Sequence, residues 1–144
     1  MKFVAAGLAF GWLLATSVAA MADDQDVIDY RRHIMKTMGE EVASIGMILD
    51  KKAPAENFAV HVRVLAITAA TAKKAFETKV AGGDAKSDVW ENWADFSKRL
   101  DTLTAATDDL AKAAQAGGIA AAGPKISGAL SCKGCHDKYR IARK

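Results

Sequence analysis

Four stretches of this chain repeat apolar residues at alternating spacings of three and four, the period of a helix that buries one side in a bundle. The first runs Ile28, Met35, Met38, Val42, Ile45, Leu49 and stops before Pro54; the second runs Phe58, Val62, Leu65, Ala69, Ala72, Phe76 and ends toward Gly82-Gly83. Asp88 with Glu91 three residues on reads as a capping box. It opens a third stripe of Val89, Trp93, Phe96, Leu100, Leu103, Thr107, Leu110 and Ala114. Gly117-Gly118 breaks that helix, and Gly123-Pro124 places a proline in the first turn of a fourth, where its missing N–H does no harm. The fourth helix carries Ile126 and Leu130 and continues into Cys132, Cys135 and His136. No stretch of alternating β-branched residues intervenes. Short connections between helices of similar length predict an all-α, antiparallel up-down-up-down four-helix bundle.

Cys132-Lys133-Gly134-Cys135-His136 is a C-x-x-C-H run, the sequence signature for covalent attachment of a c-type haem. Two thiols must add to two vinyl groups on one edge of a porphyrin while the next residue turns an imidazole toward the iron. Positions i, i+3, i+4 and i+7 of a helix share a face, so Cys132, Cys135, His136 and Tyr139 form one stripe. Other uses of the two thiols are less well supplied. A zinc site wants four ligands, and the chain holds only these two cysteines. A redox dithiol normally stands where a strand meets a helix, and no strand is predicted. A disulfide closing so short a loop adds little by chain entropy. The cofactor expected is therefore one covalent haem c with its iron.

The ends of the chain bear on where this chemistry happens. Residues 1–22 carry a positive charge at Lys2, an apolar run from Phe3 through Val18, and Ala20 and Ala22 flanking Met21, the layout of a secretory signal with an A-x-A cleavage site. An uncleaved anchor is the alternative, since about twenty weakly polar residues can span a bilayer. Residues 23–144 are then one four-helix-bundle domain, exported to the periplasm of a Gram-negative bacterium, where reduced cysteines and haem can meet. The net charge is +3 and falls by one when Lys2 is removed. No basic stripe with interleaved aromatics appears, so nucleic acid is not an expected partner. Lys138, Arg140, Arg143 and Lys144 cluster at the C-terminus, where basic residues favour the helix dipole.

Helical rise also sets levels. At about 1.5 Å per residue, Met35 lies about 16 Å in from the start of the first helix and His136 about 10 Å back from the end of the fourth, at the same end of the bundle. The two therefore sit within about a helical turn of one height, as opposite axial positions of one haem would require. Phe96 falls at about 12 Å and Ala69 to Ala72 at about 9 to 14 Å. The alanines leave space, and Trp93 and Phe96 supply flat apolar walls.

With these residues in view the chain resembles the class II c-type cytochromes, the cytochrome c′ family and its low-spin relatives. The resemblance rests on C-K-G-C-H-D-K-Y-R at Cys132 to Arg140, Y-R-R-H-I-M-K at Tyr30 to Lys36, and V-W-E-N-W-A-D-F at Val89 to Phe96. It implies that Cys132 and Cys135 form the thioethers and that His136 is the proximal iron ligand. Met35 faces the other side of the iron, Arg31 lies near a propionate, and Arg140 stands beside the proximal imidazole. Met38, one turn further, would pack against the ring edge. His33, about 200° around the helix from Met35, faces away, and His61 reads as a rim residue. The family commonly dimerises through its first two helices, and Ile34, Met47 and Ile48, read as outward, would serve such a homodimer.

Two function classes follow, separated by the sixth ligand. With Met35 on iron the protein is an electron carrier for redox partner proteins of a periplasmic respiratory or photosynthetic chain. With Met35 only packed above the iron, it is a five-coordinate haem protein that binds NO or CO. Enzyme chemistry of the peroxidase kind wants a polar acid–base group on that face, and Met35 and Met38 offer none.

Overall fold

The computed structural model describes residues 23–142, and the leader assignment at 1–22 and the last two basic residues lie outside them. The first stripe folds as α1, Asp24–Leu49. Its start is fixed by Asp23, whose carboxylate accepts from the Asp26 amide at 2.8 Å while the Asp26 carboxylate accepts from the Asp23 amide at 3.3 Å. This reciprocal pair satisfies two amides that a helix start leaves unbonded, and it puts negative charge at the positive end of the dipole. A turn through Asp50–Pro54 and one 3₁₀ turn, Ala55–Asn57, lead into α2, Phe58–Glu77. The following loop is glycine-dependent: Gly82 and Gly83 have φ of +119° and +66°, and a Cβ on either would meet Ile28 at 2.9 Å.

The expected capping box at Asp88 and Glu91 does not form. Asp88–Glu91 is a single turn, α3, preceded by Ser87 with no side-chain cap, and the long helix α4 starts afresh at Trp93 and reaches Ala129. Asn92, at φ −118° and ψ 42°, interrupts the helical path between them, so the i, i+3 spacing of a box falls across a break.

As a straight rod α4 would be about 55 Å long, yet Phe96 near its start meets Tyr139 of α5, Lys133–Tyr139, with ring centroids 5.0 Å apart. The reversal is made at Gly117 and Gly118. The helix resumes directly after them, so Pro124 sits inside the second arm and does not open it, contrary to the sequence expectation. The C-x-x-C-H segment is also not a continuation of that arm. The helix ends at Leu130, and α5 begins anew after Cys132. Four helical layers result: α1, α2, the first arm of α4, and the second arm with α5.

Gly118 has φ 59° and ψ −148°, a combination close to one that only glycine adopts comfortably. Gly118→Ala is expected to destabilise the bundle by about 1–3 kcal/mol, read from denaturant midpoints. No neighbour lies within 4 Å of the added methyl, so the loss would come from the backbone alone.

The tightest packing joins α1 to α2 and α2 to α4. Ile45, Val62, Ala69, Ala72, Thr107 and Leu110 are fully buried. The alanines of α2 do not leave room for a macrocycle as expected. They let α4 come close, and the Thr104 hydroxyl reaches the Ala69 carbonyl at 3.4 Å. Two residues expected on an outward dimer face, Ile34 and Ile48, are also in the core. Of that group only Met47 is exposed, so Ile34 and Ile48 do not form the outward face expected of them.

Candidate functional site

Cys132 has helical dihedrals, φ −62° and ψ −33°, and its carbonyl accepts from the His136 amide at 3.1 Å. The turn is thus helical from Cys132 onward, and Cys132, Cys135, His136 and Tyr139 all line one cleft of about 1350 Å³. The Cys132 thiol is exposed and Cys135 is half-buried. Burial pushes the Cys135 thiol up from its ordinary range, against the pull of the Arg99 guanidinium.

A seven-residue helix with no side-chain cap does not hold itself together. Packing and hydrogen bonds from three sides do it here. The buried Tyr139 ring packs edge-on to Phe96. The Asp95 carboxylate accepts from the Tyr139 hydroxyl at 2.5 Å, from Lys138 Nζ at 3.0 Å and from Arg99 Nε at 2.9 Å. Arg99 Nη1 donates to the Gly134 carbonyl at 3.4 Å. At the far end the Lys86 amide bonds the Tyr139 carbonyl at 3.0 Å, the Ile141 amide bonds Asp84 at 2.8 Å, and Lys86 Nζ reaches the carbonyls of Asp137 and Lys138. These last contacts satisfy carbonyls that a helix end leaves unpaired. Asp95, Arg99 and Lys86 were not among the residues singled out from sequence. The Asp95 to Arg99 spacing of four was a visible helix pair, but nothing local pointed to α5.

The opposite wall belongs to α1. Arg31, Met35 and Met38 line the cleft there, with Arg31 and Met38 buried and Met35 half-buried. Val42, Leu65, Val89, Phe96, Leu100 and Leu103 make the interior apolar. Trp93, expected as a wall, is not among the lining residues. It backs Phe96 at 5.9 Å between ring centroids. His33 is exposed, as its angle on the helix requires, and half-buried His61 places Nδ1 2.7 Å from Glu41. Arg140 lines the cleft and also borders, with His136, Lys86 and Asp137, a smaller hollow of about 570 Å³.

Arg31 is only 4% exposed. Its Nη2 donates to the Val80 carbonyl at 2.9 Å and Nε to the Val27 carbonyl at 3.3 Å, and the guanidinium lies over the rings of Phe76 and Trp90 at 5.4 and 5.1 Å. Desolvation lowers its pKa from the usual arginine value, but an arginine remains a cation at any working pH. Nη1 is buried without a hydrogen-bond partner. A desolvated cation with an unused donor on the cleft wall is costly unless an anion meets it. Two thiols and an imidazole on one side, an apolar interior, and a waiting guanidinium fit a porphyrin bearing carboxylates.

Its three donors hold the Asp95 carboxylate far below the ordinary carboxylate range, Tyr139 contributing most. A depressed pKa means the ionised form favours the folded state, so this stabilisation is complete above the ordinary aspartate value and is lost as pH falls through it toward the lower folded value. Acid unfolding followed between about pH 5 and 2 is therefore expected to be steeper in the wild type than in Asp95→Asn. The carboxylate is partly exposed, so added salt should shrink the difference.

Over residues 26–140 the chain matches the family described as cytochrome C′. It is 30% identical over 146 positions to the cytochrome c′ of Rhodospirillum rubrum, covering 97% of this chain and 99% of that one. Among solved structures it is similar to the nitric oxide complex of a leucine-to-valine variant of cytochrome c prime from Alcaligenes xylosoxidans, with TM-score 0.76 and 27% identity over 85% of this chain and 100% of the other. The carbon-monoxide-bound leucine-to-glycine variant of the same protein gives TM-score 0.76 and 27% identity, again over 85% and 100%.

Proposed function

The chain belongs to the cytochrome c′ family, and on that premise we propose that it is an exported haem protein that reversibly binds NO or CO. It is five-coordinate at rest, with the gas taken on the face opposite His136. The family's cofactor is one covalent haem c with iron. When bound, the haem would supply an iron able to take up a small uncharged gas.

The chain's own residues do the rest. The thiols of Cys132 and Cys135 would hold the haem covalently as thioethers to its vinyl groups. The His136 imidazole is the proximal ligand, with Arg140 beside it. Arg31 meets a propionate with its unused Nη1. Phe96, Tyr139 and Met38 pack the ring, and Trp93 braces Phe96 from behind. Met35 stands on the α1 wall, half-buried among apolar neighbours, and crowds the open face without bonding it. Residues 1–22 direct export to the periplasm.

The observation that carries this reading is the likeness, over their full length, to structures that hold nitric oxide or carbon monoxide. It favours gas binding over the electron-carrier reading, in which the Met35 sulfur ligates iron and redox proteins are the partners. The test is the optical and EPR spectrum of the ferric protein. High-spin iron, unchanged by Met35→Ala, is the expected result. A low-spin spectrum that Met35→Ala abolishes would instead establish the methionine-ligated carrier.

A further inference from the structure

We infer that Asp95 is a positioning residue for the iron ligand: its carboxylate fixes how the short helix bearing Cys135 and His136 sits against α4, and thereby the set of the His136 imidazole. The inference rests on the assignment of His136 as ligand.

One carboxylate gathers three donors from two elements. Lys138 and Tyr139 come from the C-terminal turn of α5, and Arg99 comes from the next turn of α4. Arg99 then continues to the Gly134 carbonyl, between the two cysteines. The C-x-x-C-H segment is thus gripped at both ends by one charged cluster on α4. Tyr139 is three residues from His136, one turn along the same face, so a shift at the Tyr139 hydroxyl is carried directly to the imidazole. Charge-assisted bonds of this kind are the stronger class of hydrogen bond, and α5 is too short to supply rigidity of its own. Packing of Tyr139 on Phe96 and the bonds from Lys86 hold the C-terminal end of α5. Asp95, bonded to two successive α5 residues and linked through Arg99 to Gly134, ties the turn that bears Cys135 and His136 to α4.

The experiment compares haem-loaded wild type with Asp95→Asn, which keeps the shape and removes the charge. Two readouts are taken: amide hydrogen exchange by residue, and the iron–imidazole stretching band of the reduced protein by resonance Raman spectroscopy. The α5 amides are expected to exchange roughly tenfold faster or more, the weight of a lost hydrogen bond to a charged group, with α1 and α2 unchanged. The iron–imidazole band should shift or broaden, and Asp95→Glu should restore it. Tyr139→Phe, which keeps the ring and loses one donor, should move the band in the same direction by less. Asp101→Asn, which breaks the ion pair between α4 and Lys73 of α2, should leave the band alone. Faster exchange in Asp95→Asn with an unmoved band reduces Asp95 to a structural anchor and overturns the inference. A wild type with haem attached but no imidazole band sinks the ligand assignment on which it rests.

Discussion

Replacing both cysteines, Cys132→Ser with Cys135→Ser, is expected to yield an exported protein that shows no haem stain after denaturing electrophoresis. Each single variant retains one thioether and should stain more weakly than wild type. The double variant should also lose much of its stability. The cleft is lined by Leu65, Val89, Phe96, Leu100 and Leu103, and without a cofactor the space in front of them is taken by water or closed by collapse. Emptying a core site costs up to about 5 kcal/mol even for one large side chain, against a typical total of about 5–15 kcal/mol for a domain. The apoprotein is therefore expected near its stability threshold, with lost near-UV ellipticity and bound hydrophobic dye. Arg31 adds to this, because its buried Nη1 then has no anion to meet. Haem stain surviving in the double variant would refute covalent attachment through these thiols.

The second large effect belongs to Met35. If its side chain crowds the gas-binding face, an incoming ligand must displace it, and forcing packed side chains aside costs about 1–3 kcal/mol. Met35→Ala is then expected to raise CO affinity of the reduced protein about 10- to 100-fold, measured by optical titration. Most of the gain should appear as faster association, since the obstruction acts before the bond forms. Met38→Ala, on a buried neighbour in the same wall, should cost stability more than it changes association. An unchanged CO affinity in Met35→Ala would place the methionine away from the open face.

Much of this was legible in the chain itself, and the exceptions share a cause. The α1 and α2 stripes appear as predicted because an apolar period of three and four must be buried on one side whatever the partner. The C-x-x-C-H turn was equally plain, since its spacing is set by helical geometry within five residues. What could not be read depended on residues distant in sequence. Arg31 bonds Val80, Lys86 bonds the end of α5, and Asp95 reaches Lys138 and Tyr139. The alanines of α2 were misread because a run of small residues suits close helix packing as well as an empty volume; only the position of α4 decides between them. Ile34 and Ile48 were placed outward for lack of the neighbours that cover them. At Asp88 the box pattern was present, but Asn92 breaks the helix it was meant to open.

The seam between α1 and α4 has a consequence for traffic. Lys36 and Glu40 on one bank and Lys98 and Thr102 on the other are exposed residues that line the cleft. If the chain binds a gas as proposed, a diatomic molecule arriving there would pass between surface side chains, whose rotations take picoseconds to nanoseconds. It would not need to wait for helices to part, which takes microseconds or longer. On the gas-binding proposal the doorway would stand ajar, and the pace of admission would be left to the Met35 side chain inside it.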